Sequence, residues 1–331
     1  MNTKHALSVT FDDVLAARDR ISPHINHPPQ LRLPALCDIF GIDVVLQCEN
    51  LQQTGSFKFR GASNAMELLL PDQRSRGVIT YSSGNHAQAI ARAAQIRNTA
   101  ATVVMPDNAP AVKVAGVRRA GATIVQYNPA TEDRESICNQ IARDTGKTVI
   151  PPYNHPHVIA GQGTAALELI ENAGSFDAIL APCGGGGLLS GTAISTKSLL
   201  PHCKVYGVEP SQADDAARSF ATRTLCSVHH PQTIADGART PSLGEHTFPV
   251  VMELVDGFYT VTEPQIAHAM RMLIEMCKLV VEPTGAVSLA GLIAQRAHWQ
   301  GKRVGIVVSG GNVDLAKLPE YFALADQYRE T

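Results

Sequence analysis

Asp177-Ala178-Ile179-Leu180-Ala181-Pro182-Cys183-Gly184-Gly185-Gly186-Gly187-Leu188 is the stretch on which the fold turns. Its short apolar run lacks polar alternation, as a strand buried on both faces does. Four consecutive glycines follow, and residues 188–200 then read as an apolar helix. Glycines let backbone N–H groups converge, and a helix N-terminus adds positive potential, so the loop suits an anion such as phosphate. A flexible strand-to-helix turn is the plainer reading, but four glycines are entropically costly for a plain turn. The run is neither a GxGxxG followed by an acidic residue nor a GxxxxGK[ST], which excludes dinucleotide and nucleoside-triphosphate loops.

The same alternation extends outward. Before it, residues 44–46, 78–81, 101–105, 122–127 and 148–150 read as strands, separated by helical segments at 59–70, 87–95, 110–120 and 131–144, with another at 158–172. Pro71 stops the first of these, and Pro110 is placed as the first residue of the third. After it, 204–208 and 303–308 read as strands and 262–278 and 285–297 as helices. Thr10-Phe11-Asp12-Asp13 is a capping box ahead of a helix at 14–21. The class is α/β with parallel sheets covered on both faces. Ligands in such sheets bind beyond the carboxyl ends of strands. Two more loops stand out there, Ser82-Ser83-Gly84-Asn85-His86 and Ser309-Gly310-Gly311-Asn312.

With 331 residues and 44% apolar content, the chain can build one large or two moderate cores. A net charge of -2 provides no field for nucleic acid or anionic membrane. No apolar window reaches the roughly 18 residues of a membrane span, and Met1-Asn2-Thr3-Lys4-His5 does not open a signal peptide. The seven cysteines form no CxxC, so neither a disulfide frame nor a zinc site is indicated. Buried thiols in a reducing cytoplasm are the simplest reading.

Gly55-Ser56-Phe57-Lys58-Phe59-Arg60-Gly61 sets one lysine between two aromatics. A desolvated ammonium has a lowered pKa and becomes a nucleophile suited to imine chemistry. A snorkelling surface lysine would look the same in isolation.

Taken together, the SFKFRG lysine, the SSGNH loop, the glycine loop and the C-terminal SGGN stand in the order found in fold-type II pyridoxal 5'-phosphate (PLP) enzymes. The sequence resembles the serine racemase, serine/threonine dehydratase and 3-hydroxyaspartate dehydratase group. Glu49-Asn50-Leu51-Gln52-Gln53-Thr54-Gly55, Gly161-Gln162-Gly163-Thr164, Gly207-Val208-Glu209-Pro210, Thr233-Ile234-Ala235-Asp236-Gly237 and Glu282-Pro283-Thr284-Gly285 carry the likeness further, over roughly residues 14–325. The resemblance implies a tryptophan synthase β-like fold of two parallel-sheet α/β domains with the cofactor between them. The large domain would comprise 1–52 and 149–331, the small one 53–148, and the protein would be a homodimer.

It also implies roles. Lys58 is the Schiff-base lysine that also moves the Cα proton, and Phe57 packs on the cofactor ring. Asn85 meets the phenolic oxygen, Gly184, Gly185, Gly186, Gly187 and Leu188 hold the phosphate, and Ser309 faces the pyridine nitrogen. The Ser82, Ser83, Asn85 and His86 loop takes the substrate α-carboxylate. Ser83 stands where serine racemase has a second acid/base, or serves only as a carboxylate-loop hydroxyl. Glu209, Asp215 and the Ala213 carbonyl match a divalent-cation site for Mg, Ca or Mn; an acidic pair favoured by a helix dipole would read alike. Asn154 lies near the expected cofactor face, with His155 and His157 behind it.

The implied reaction is a dehydratase (ammonia-lyase) reaction that converts a small β-hydroxy amino acid, 3-hydroxyaspartate or L-serine/L-threonine, to a 2-oxo acid and ammonia. Arg239, in a substrate-side loop one residue longer than in mammalian serine racemase, and Arg134 are candidates to clamp a second carboxylate; solvent-exposed arginines are the alternative. Gln53 and Ala120 replace a lysine and a tyrosine of the mammalian nucleotide site, which puts an ATP effector in doubt. Serine or aspartate racemisation, β-replacement synthesis and non-catalytic PLP binding are the competing readings.

Overall fold

The computed structural model describes residues 7–109 and 111–329. Its strands are β1 (Gln30–Arg32), β2 (Asp43–Cys48), β3 (Val78–Tyr81), β4 (Ala101–Pro106), β5 (Thr123–Tyr127), β6 (Thr148–Val149), β7 (Ala178–Pro182), β8 (Lys204–Pro210), β9 (Gly257–Val261) and β10 (Arg303–Val308). They form a six-stranded sheet in the order β1-β2-β10-β7-β8-β9 and a four-stranded sheet in the order β5-β4-β3-β6. All neighbours are parallel except β1, which runs antiparallel to β2 at the edge. β7 is buried along its whole length, as its unbroken apolar run requires.

The α/β reading and the strand positions hold, with ends moved by a residue or two. Thr10 and Asp13 form the reciprocal cap, and the helix begins at Phe11 (Phe11–Ile21). The helix expected at 59–70 ends at Glu67 (Lys58–Glu67). Pro71 does more than stop it: it opens a short helix of its own, Pro71–Arg76. Pro110 lies outside the described residues, and the helix after it spans Ala111–Arg119. Five further elements escaped the sequence reading: β1, β9 and the helices Pro34–Phe40, Asp215–Thr222 and Thr247–Leu254. They are short, and several sit at edges where half-exposure blurs the apolar pattern.

The helix Pro156–Ala173 lies between the two sheets' cores and is buried without a break from Val158 to Leu167. Backbones touch it on two sides. A Cβ on Gly161 would fall 2.6 Å from Gly61 Cα, and one on Gly163 would fall 3.0 Å from the Gly191 carbonyl. The helix that begins with Lys58 and the helix that follows the glycine loop (Gly187–Leu199) are thus both seated on it. Beside this junction the fully buried Arg60 makes a two-pronged pair with Glu49, at 2.8 Å through both Nε and Nη2, and also meets Glu168. A buried guanidinium is tolerated only when paired in this way.

Among the described residues, no helix is long and apolar enough to cross a membrane. All seven cysteines are free, and only Cys226 is partly exposed.

Candidate active site

The carboxyl ends of β3, β7 and β10 open onto a cleft of about 1020 Å³, walled by all three of the unusual loops. Lys58 begins its helix inside this wall. Its Nζ donates to the Pro152 carbonyl at 2.7 Å and stands 5.1 Å from the Phe57 ring centroid. Burial among these groups lowers the amine to about 8, against the opposing pull of the Glu282 carboxylate. The lysine is therefore the desolvated kind and not the snorkelling kind.

Its position is fixed by stitches to the 309–312 loop. Phe57 N–H donates to the Ser309 carbonyl at 3.1 Å, and Ser56 pairs with Gly310 as an isolated bridge. Ser309 is buried, its hydroxyl 3.3 Å from the Thr284 carbonyl. Asn85 donates to Glu282 at 2.5 Å and accepts from Asn312 at 2.9 Å, so its amide orientation is set from two sides.

In the glycine loop, Gly186 has φ +87°, a conformation glycine adopts without penalty. A Cβ on Gly185 would lie inside the Tyr153 ring, and one on Gly187 would lie 3.2 Å from Tyr153 Cα. One on Gly184 would meet the Gly237 carbonyl at 3.1 Å. The protein's own packing thus demands glycine here, which the sequence argument from cost alone did not foresee. The loop remains a cradle. The first bond of the helix is Ser190 N–H to the Gly186 carbonyl, so the N–H groups of Gly187, Leu188 and Leu189 lack intrahelical partners. A phosphate fits there, with Lys58 and Ser309 on the walls of the same cleft.

The Ser82–His86 segment repeats the device. Its helix (Asn85–Ile96) starts with Gln88 N–H to the Gly84 carbonyl, leaving the amides of Asn85, His86 and Ala87 without intrahelical acceptors. Ser83 lines the cleft with them. His86 is buried against the Ile150 carbonyl at 3.0 Å, and burial takes its imidazole down to about 3. It is neutral at any working pH, and its ring ties β3's loop to the 150–152 segment.

The two arginines differ. Arg134 opens the helix Arg134–Thr145 and holds its guanidinium 5.6 Å above the Tyr81 ring, in the cleft wall. Arg239 also borders the cleft, but its Nε and Nη2 are spent on the Thr233 carbonyl. Asn154 turns the other way: its Oδ1 accepts from His246 N–H at 2.9 Å and abuts Gly244.

Glu209, the penultimate residue of β8, accepts from Ala217 N–H at 2.8 Å and Ala216 N–H at 3.4 Å. Asp215 is fully buried, yet neither of its carboxylate oxygens has a partner. Burial raises Glu209 well above the carboxylate range and Asp215 to about 7. Two hard carboxylates, one of them orphaned, beside the Ala213 backbone are a donor set that fits a divalent cation. Among the described residues, no three or more His, Cys, Asp or Glu side chains gather for a metal, so any such site depends on backbone oxygen as well.

The sequence reading passed over several wall residues: Tyr153, the carbonyl of Pro152, Lys113, Asp236 and the carboxylate of Glu282. Glu282 lay in a quoted motif. Lys113, alone in an Ala/Val-rich helix, gave no signal.

The family model for the pyridoxal-phosphate dependent enzymes matches residues 21–310. Two relatives align over nearly the full chain. The L-threo-3-hydroxyaspartate ammonia-lyase of Saccharomyces cerevisiae is 49% identical over 93% of this chain and 94% of its own. The serine racemase of Schizosaccharomyces pombe is 44% identical over 95% of this chain and 97% of its own. The crystal structure of serine racemase from Dictyostelium discoideum superposes with a TM-score of 0.88 at 42% identity, over 93% of this chain and 100% of that one. This chain belongs to the pyridoxal-phosphate dependent enzyme family, in its fold-type II form.

Proposed function

We propose that the protein is a PLP-dependent ammonia-lyase that converts 3-hydroxyaspartate to a 2-oxo acid and ammonia, the water lost in the elimination being taken up again at the final hydrolysis. The observation that carries the substrate is Arg134: a guanidinium braced over Tyr81, in the same cleft as Lys58 and the 82–86 loop. The name of the 49% identical yeast relative agrees. Arg239, committed to Thr233, is the weaker candidate.

Lys58 would hold the cofactor covalently, Phe57 its ring face, Asn85 its phenolic oxygen, Gly184–Leu188 its phosphate and Ser309 its ring nitrogen. Bound there, PLP supplies an electron sink for the pair left on Cα. Freed from the cofactor by the incoming substrate amine, Lys58 would take the Cα proton, and its burial favours the neutral, basic form. Free amides of the 82–86 loop receive the α-carboxylate, and Arg134 receives the second one. The hydroxyl then leaves from Cβ with a proton supplied within the cleft. The enamine formed becomes an imine, and water releases the 2-oxo acid and ammonia. Ser309 is a hydroxyl and not a carboxylate, so it does not hold the ring nitrogen protonated, which suits prompt loss of a leaving group.

We further propose a divalent cation at Glu209, Ala213 and Asp215, a smaller unit over 53–148 that carries the four-stranded sheet, a homodimer, and a cytoplasmic setting consistent with seven free thiols. Ser83 lines the cleft with Lys58, and serine or aspartate racemisation with Ser83 as the second acid/base is the alternative reading.

The test is turnover of L-serine, L-threonine and the four 3-hydroxyaspartate stereoisomers, with D-isomer formation monitored, in wild type and in Arg134→Met. The reading expects the hydroxyaspartate KM to rise at least tenfold in the variant, as loss of a charge-assisted bidentate contact implies, with little change for serine. Wild-type turnover that does not favour hydroxyaspartate over serine removes the dicarboxylate reading.

A further inference from the structure

Lys113 is 4% exposed, in the first turn of the helix Ala111–Arg119. An ammonium is seldom taken so far from water without a task or a partner. Its partner is Asp236, in the turn Asp236–Ala238. That turn is pinned to the other sheet's unit by Gly237 N–H to Thr284 Oγ1 at 3.0 Å. The ion pair therefore joins the helix packed beside the four-stranded sheet to a loop of the six-stranded one, across the cleft.

Lys113 Nζ, on the cleft wall, also lies against the 82–86 loop, where a Cβ on Gly84 would stand 3.3 Å from it. On the loop's other flank, Asn85 is held by Glu282. The second oxygen of Glu282 is buried without a partner, and its charge reaches Lys113. Burial alone would lower the Lys113 amine, but Asp236 and Glu282 more than offset this and keep it charged. A fixed positive charge thus stands beside the loop whose free amides line the same cleft.

We propose that Lys113 is a positioning residue: latched to Asp236, it holds the Ser82–His86 loop in place and supplies the charge beside it that draws the substrate carboxylate. The inference rests on reading the cleft as an amino-acid site, but not on which reaction occurs there.

The test uses the PLP-loaded wild type, Lys113→Met, Lys113→Arg and Asp236→Asn. Binding of malonate, a carboxylate that cannot turn over, is followed by the fluorescence of bound PLP, and kcat and KM are measured separately. Lys113→Met is expected to weaken malonate about tenfold and raise KM by a similar factor, with kcat changed less. Lys113→Arg, which keeps the charge, is expected to recover most of the affinity. Asp236→Asn, which frees the ammonium from its latch, is expected to fall between. Wild-type malonate affinity in a folded Lys113→Met overturns the proposal, as does equal loss in the Met and Arg variants, which would mark a packing role alone. If Lys113→Met does not fold, unchanged malonate affinity in Asp236→Asn overturns it. Malonate binding that depends on Lys113, in an enzyme that turns over no hydroxy amino acid, would sustain the positioning role while the lyase reading falls.

Discussion

Removing the amine of Lys58 changes how the cofactor-free protein responds to pH. The amine falls from its ordinary 10.5 to about 8 in the fold because burial disfavours the ammonium. The unfolded chain therefore binds more protons than the folded one between those two values, so the destabilisation is complete below about pH 8 and fades as pH rises toward 10.5. Each pH unit in that window is worth about 1.4 kcal/mol. Between pH 8 and pH 9.5 the wild-type apoprotein should gain roughly 2 kcal/mol over Lys58→Met, an isostere with nothing to titrate. For a chain of this size that is roughly 4 °C in Tm. The assay is differential scanning of both apoproteins at half-unit pH intervals; subtracting the variant cancels every other titrating group. At neutral pH, Lys58→Met should be the more stable apoprotein while binding no PLP covalently and turning nothing over. Parallel pH curves would mean that Lys58 is fully solvated and would remove the basis for its action as a base at neutral pH.

Two other perturbations probe the walls. Gly185→Ala should cost about 1–3 kcal/mol through overlap with the Tyr153 ring, and Tyr153→Ala in the same chain should recover much of it, as read by a double-mutant cycle on Tm; additive losses would show that Tyr153 is not the obstruction. EDTA should lower the Tm of the cation-loaded protein by several degrees, the linkage at 100-fold excess over Kd being about 2.7 kcal/mol, and the response should vanish in Asp215→Asn, whereas an unaltered response in that variant would place the cation elsewhere.

The sequence showed the β-loop-α units plainly, because strands such as β7 and β10 are uninterrupted apolar runs bounded by glycine. It showed Lys58 only in company: the Pro152 carbonyl that receives the amine and the Glu282 carboxylate that acts on its charge lie 94 and over 200 positions away in the chain. Lys113 was not visible at all. A lone lysine on a helix is ordinarily solvated, and only the approach of Asp236 from the other sheet's side gives it a role. Arg134 and Arg239 were indistinguishable as letters; what separates them is a hydrogen bond to the Thr233 carbonyl that local pattern does not encode. β9 was missed because an edge strand half open to solvent lacks the apolar run that marked its neighbours.

The glycines at 61, 161, 163 and 191 bear on a matter of tolerance. They bring three helices to backbone contact, and two of those helices begin where the amine and the phosphate cradle sit. The span between those two ends is gauged by how closely the helices stack, not by the loops themselves. Loop residues can therefore drift to suit new substrates while the span stays constant. A single methyl at Gly161 would wedge that gauge open and mistune both ends together, from a position that touches neither.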